Sequence, residues 1–164
     1  MTANDGNGGS ANDAFAITIN NVNDAPLASN DSPPAIDEGG TISNNFNVLD
    51  TDSDPDDDPL SAVLVDGPAN AADFSLNSNG DFLYRHDGSD TTSDSFTYRA
   101  SDGQDQSGIA TVTISINSVN DEPLAVDDGP FNVDEGGTFS SSPASVLDND
   151  TDSEGDALSA VLVT

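Results

Sequence analysis

Apolar residues in this chain come in short alternating runs, the pattern of strands. In IATVTISI, Val112, Ile114 and Ile116 alternate with Thr111, Thr113 and Ser115, the period of two expected of a strand with one face to a core and one to water. SFTYRA repeats it with Phe96 and Tyr98. FSL and FLY flank NSNGD, where Asn79-Gly80 predicts a tight hairpin, because both residues tolerate positive φ. Further strands are expected at Leu60 to Val65, near Ile42 to Val48, and around Ala35 and Ile36. No stretch carries useful helical periodicity. About seven short strands separated by turn residues predict an all-β, two-sheet sandwich of roughly 100 residues.

The pattern also repeats. ITINNVNDAPL at Ile17 to Leu27 returns as ISINSVNDEPL at Ile114 to Leu124, 97 residues on, and DEGGT at Asp37 returns at Asp134 with the same offset. VLDTDSDPDDDPLSAVLV from Val48 matches VLDNDTDSEGDALSAVLV from Val146, 98 residues on. ANDGNGGSANDAF near the start aligns with ASDGQDQSGIATV from Ala100, and its strand places Phe15, Ile17 and Ile19 on an inner face. The expected organisation is the C-terminal part of one repeat in residues 1–24, a complete sandwich in 25–121, and the N-terminal part of another in 122–164. Such a chain reads as a window of a longer array, or as a unit completed by neighbouring chains.

Charge then narrows the chemistry. Thirty-one acidic residues face two basic ones, Arg85 and Arg99, for a formal net charge of −29. Nucleic acid and anionic membrane surfaces are excluded as partners, since their recognition rests on basic patches; cations are the expected company. Hydrophobic content of 34% is lean and borders on compositions that stay disordered, but the regular strand pattern argues for folding. There is no cysteine, hence no disulfide or thiolate metal site. Met1 is followed by a polar stretch, and no window approaches the ~20 apolar residues of a membrane span, so neither export signal nor anchor is expected in these residues.

The acidic residues concentrate in one loop, where Asp50, Asp52 and Asp54 alternate and Asp56, Asp57 and Asp58 come next. Alternating aspartates can turn successive carboxylates toward one centre, and calcium takes six to eight such oxygens. An EF-hand does not fit: Pro55 or Ser153 stands where its glycine belongs, and Ser61 or Ser159 where its glutamate belongs. Asp56 to Asp58 are expected to form a solvated rim. His86, the single histidine, is expected on the surface of a strand, and both arginines in ion pairs with aspartates. One isolated histidine and no Gly-rich phosphate loop argue against an enzyme.

The segment YRASDGQDQSGIATVTISINSVNDEP, Tyr98 to Pro123, resembles the last two strands and the inter-domain linker of a cadherin repeat. Most closely, the chain resembles the cadherin-like and immunoglobulin-like repeats of large bacterial surface adhesins. That resemblance implies Ca2+ at the junction between consecutive domains. One junction would use Asn23, Asp24, Asp52, Asp54 and Asp102, the second Glu38, Asn120, Asp121, Asp150 and Asp152. The early glutamate is matched by Glu38 or, in the next copy, Glu135, and Asp102 has Asp5 as its earlier copy. The Asp-Arg-Glu motif of animal cadherins has no counterpart, YRHDG offering only Asp87 in that region.

The function so implied is a calcium-stiffened segment of an extracellular bacterial adhesin or surface fibre. Its partners would be neighbouring repeats or identical chains, with a host or surface glycan or protein as adhesive target and no insertion into a membrane. Two other readings remain open: a glycan- or protein-binding sandwich module, and a filament subunit joined by strand addition between its partial end repeats.

Overall fold

The computed structural model describes residues 2–12, 14–140 and 145–163. Nine strands form among them: β1 Thr2–Asn4, β2 Ser10–Asn12, β3 Ile36–Asp37, β4 Thr41–Asn47, β5 Ser61–Asp66, β6 Ala71–Leu76, β7 Asp81–His86, β8 Ser93–Ser101 and β9 Ala110–Asn117. The last seven build an immunoglobulin-like sandwich from a four-stranded sheet, β3-β9-β8-β5, and a three-stranded sheet, β4-β7-β6. β1 and β2 pair with each other.

The alternation read from the sequence sets which face is buried. In β9 Val112, Ile114 and Ile116 point inward, and in β8 Asp94, Phe96, Tyr98 and Ala100 do the same, with Phe96 opposite Val112 and Tyr98 opposite Ala110. In the facing sheet β7 contributes Phe82, Tyr84 and His86, with Ile42 of β4 beside Tyr84 and Val48 just past the end of β4. Phe82 and Phe96 meet edge to face with centroids 5.1 Å apart, and Phe74 leans on Phe96 at 4.9 Å, the offset contacts aromatic rings prefer. The β6–β7 hairpin turns at Asn79-Gly80, where Gly80 has φ +90° and an added Cβ would lie 2.2 Å from Asn47 Oδ1. Only glycine meets both demands at that position.

β3 is short, but it fixes the path of the entering chain, because it runs parallel to β9 with Ile36 beside Ile116. The same ladder begins earlier, where Asp31 N donates to Thr111 O (3.0 Å) and Thr113 N to Asp31 O (3.0 Å), and ends with Glu38 N to Asn117 O (2.9 Å). The chain thus enters along one edge of the sandwich and leaves beside it, which places the entering 23–31 segment, the 50–58 loop and the 102–105 turn together.

Three expectations are corrected. His86 is not on the surface: it is 1% exposed, its Nδ1 accepting from Gly39 N (3.2 Å) and Gly88 N (3.3 Å), with Nε2 against Thr91 Oγ1 at 2.8 Å. It is the third inward position after Phe82 and Tyr84. Arg85 does pair with Asp73 (2.6 Å), but Arg99 donates to the Ser107 carbonyl instead. Phe15, Ile17 and Ile19 are exposed and form no strand.

Candidate functional site

The linker residues and the aspartate loop meet through hydrogen bonds. Asn23 Nδ2 donates to Asp102 Oδ2 (2.9 Å) and Asp105 Oδ2 (3.0 Å), while Asn23 Oδ1 accepts from Gln104 (2.8 Å). Asp24 N donates to Asp56 Oδ2 (2.7 Å), and the Asn21 amide donates to the other Asp56 oxygen. Asp54 Oδ1 caps its own loop, accepting from Asp56 N (2.8 Å) and Asp58 N (3.3 Å). Asp102 closes the 102–105 turn in the same way, accepting from Gln104 N and Asp105 N, both at 2.7 Å.

The first expected ligand set therefore divides. Asn23 meets Asp102 and Asp105 directly, while Asp24 enters the acidic corner through its backbone N–H on Asp56, whose own N–H Asp54 caps. Asp52 turns the other way: its carboxylate accepts from Ser29 N (2.8 Å) and faces the buried Tyr98 hydroxyl at 3.0 Å. Tyr98 also lies 2.7 Å from Val48 O and 3.0 Å from Asp31 Oδ2. One phenolic proton thus serves several acceptors.

The charges of the two groups are held differently. Asp56 is drawn below the ordinary carboxylate value by the Asp24 amide, then by Asn21, and Asp102 by the Asp105 amide, then by Asn23 and Gln104. Each donor favours the ionised form. Burial pushes Asp31 and Asp52 the opposite way, only partly opposed by their hydrogen bonds, and burial likewise raises Tyr98.

At the other linker Glu38, Asp90 and Glu154 each offer a carboxylate oxygen, all within 4.8 Å of one another. Glu38 Oε2 accepts from Val119 N (3.3 Å) and Glu154 Oε2 from Asp121 N (3.3 Å). Asp121 thus reaches the site through its backbone, and the Asn120 side chain donates to Asp121 O (2.8 Å). Asp152 Oδ1 accepts from Asp156 N (2.9 Å) and Asp150 Oδ1 from Val126 N (2.8 Å), as Asp54 and Asp52 do in the earlier copy. Of the second expected set, Glu38 therefore meets Asp90 and Glu154, which the motif does not include.

The donors suit a hard cation, being carboxylates, amide oxygens and carbonyls. Among the described residues, two buried carboxylate oxygens have no hydrogen-bond partner, Asp54 Oδ2 and Glu38 Oε1. A buried acceptor left unsatisfied is costly, and here one occurs at each linker, on a residue of the expected ligand sets.

Asp56, expected in the solvated rim, instead holds the linker. The sequence carries a signal for it: Asp56 aligns with Glu154, acidic in both copies, whereas the next position changes from Asp57 to Gly155. Asp90 has no such signal, being far in sequence from the residues it meets.

In comparisons with known proteins, the family model described as bacterial Ig domain matches residues 23–115, more than half of the chain. No curated protein matches the chain.

Proposed function

The chain belongs to the bacterial Ig domain family, and from that membership we propose that it is a calcium-stiffened structural segment of an extracellular bacterial surface protein, an adhesin or fibre. The family consists in general of structural, non-enzymatic modules typical of surface proteins. No helix among the described residues is long and apolar enough to cross a membrane.

The observation that carries the calcium reading is the pair of buried, unpartnered oxygens, Asp54 Oδ2 and Glu38 Oε1. Each belongs to a loop hydrogen-bonded to, or next to, a linker backbone: Asp54 beside Asp56 and Asp24, Glu38 against Val119. At the first linker Asp24, Asp54, Asp56, Asp102 and Asp105 would hold the ion with the Asn23 amide oxygen. At the second, Glu38, Asp90, Glu154 and Asp121 would. Asp52, already engaged with Tyr98 and Ser29, supports the loop from behind.

Bound calcium supplies the full positive charge that amide donors supply only in part. Without it the acidic corner repels itself and the linker is held by a few exposed hydrogen bonds. With it, carboxylates from linker and loop share one centre, so the linker angle is fixed. Extracellular modules of this kind bind at about 10⁻⁴ to 10⁻³ M.

The test is thermal unfolding and small-angle scattering of the chain in calcium and in EDTA. Saturating calcium should add about 1–3 kcal/mol by mass action and lengthen the particle, and Asp54→Asn should abolish the first linker's share of both effects. Identical melting and scattering curves with and without calcium would remove the reading.

A further inference from the structure

The single imidazole of the chain, His86, is built into the end of the sandwich beside the second linker. The ring is 1% exposed and bridges two loops. Its Nδ1 accepts from Gly39 N at 3.2 Å, in the turn between β3 and β4, and from Gly88 N at 3.3 Å, in the loop after β7. A ring nitrogen that accepts two N–H groups carries no proton of its own, so the hydrogen sits on Nε2 and points to Thr91 Oγ1 at 2.8 Å. Asp87 Oδ1 stands 3.7 Å from Nε2, beyond hydrogen-bond reach. Thr91 Oγ1 also meets Ser89 Oγ at 3.3 Å, and His86 N donates to Gly40 O at 3.0 Å. One buried side chain thereby ties residues 39–40 to residues 88–91.

Those loops carry two of the second linker's carboxylates. Glu38 precedes Gly39 and Asp90 precedes Thr91, and their oxygens lie within 4.8 Å of each other and of Glu154. Like charges at that distance repel, so something other than the carboxylates themselves must hold the two loops together. We propose that His86 is a positioning residue for the second linker's calcium site, keeping Glu38 and Asp90 within reach of one ion. Both ring nitrogens are engaged with the loops, so the imidazole is not itself a ligand. The inference rests on the calcium reading above and adds the group that sets the geometry of that site. Outer partners of this kind govern metal affinity because they fix the ligands in place. At the first linker Asp54 and Asp102 are fixed instead by amides of their own loops, so the two linkers should respond differently to a change at His86.

Calcium titration calorimetry on the full chain, in two backgrounds, tests the assignment. Asp54→Asn weakens the first linker and leaves the second to report, and Glu38→Gln does the reverse. His86→Phe keeps the bulk of the ring but offers no acceptor. In the Asp54→Asn background it should weaken calcium binding at least about tenfold, and in the Glu38→Gln background it should leave the affinity unchanged. His86→Asn places Oδ1 where Nδ1 stood and should return the affinity to within about threefold of the parent. Without calcium, the Gly39 and Gly88 amides should exchange hydrogen faster in His86→Phe than in His86→Asn. If His86→Phe changes the circular dichroism spectrum, Thr91→Val, which removes only the Nε2 partner, replaces it and should weaken the second linker in the same sense. Unchanged affinity at the second linker overturns the assignment. So does equal weakening at both linkers, or a His86→Asn chain no better than His86→Phe. A parent chain that gives no calcium heat overturns the calcium reading itself, and the assignment with it.

Discussion

The central sandwich and the two flanking segments share sequence yet differ in structure, and the division falls between loops and strands. The loops share several of their bonds. Leu27 N donates to Ser53 O at 2.8 Å and Leu124 N to Thr151 O at 2.8 Å. Ser29 N meets Asp52 Oδ1 and Val126 N meets Asp150 Oδ1, both at 2.8 Å, and Gly40 and Gly137 each bond back to the aspartate three residues earlier at 2.8 Å. The strands do not agree: Ile114 is 0% exposed and Ile17 is 76% exposed. Turn chemistry acts over a few residues and needs nothing else, whereas a strand needs partners for its backbone and a facing sheet for its side chains.

The largest test of this contrast exchanges one residue type in both settings. Ile114→Ala should cost about 3 kcal/mol in urea unfolding, by lost burial plus the cavity left behind. Ile17→Ala in the dilute, monomeric chain should stay within about 0.5 kcal/mol of the parent. Comparable losses at the two positions would mean that the N-terminal copy is packed in solution.

Tyr98 sharpens the comparison within the loop itself. Its hydroxyl backs Asp52 in the sandwich. Tyr98→Phe takes a donor from Val48 O and one of the donors of Asp31 and Asp52, which keep Thr51 and Ser29, and should cost about 1–3 kcal/mol, again read from the urea midpoint.

Acidity separates the two carboxylate groups of the first linker more finely. Asp56 and Asp102 lie below the ordinary 3.8, so the stability they contribute is present above that value and lost as pH falls through their folded values. Asp31 and Asp52 lie above it, so theirs is present below 3.8 and lost as pH rises through their folded values. Asp56→Asn should therefore flatten the acid side of a stability profile in part, and Asp31→Asn should reduce the loss of stability toward neutral pH. If both variants shifted the same limb, the assignment of opposite signs would be wrong.

The smallest effect is kinetic. The Leu124 amide makes the same bond as Leu27 but belongs to no closed sandwich, so its hydrogen exchange should track local opening. It should exchange faster than Leu27, and equal protection at the two amides would argue that the C-terminal copy is closed.

The same contrast explains what is legible in the sequence. Period-two alternation and the Asn79-Gly80 turn locate β6 to β9 because burial on one face writes itself into residue order. His86 reads as a surface residue by its chemistry, although its position, two after Tyr84, puts it on the inward face. Phe15, Ile17 and Ile19 read as an inner face by their spacing, yet alternation describes a strand only where partners exist. The motif locates the linker aspartates, but which of them turn together depends on Tyr98 drawing Asp52 inward and on Asp56 meeting a backbone amide. Those are contacts between distant residues that no local pattern records.

The parallel pairing of β3 with β9 has a mechanical consequence. Tension entering at Asn23 and leaving at Asp121 pulls two neighbouring strands along their own axes in opposite directions. The bonds of Asp31 with Thr111 and Thr113, and of Glu38 with Asn117, are then loaded in shear. They must give way together and cannot peel one at a time, so a module this lean in apolar core can still resist force along its length.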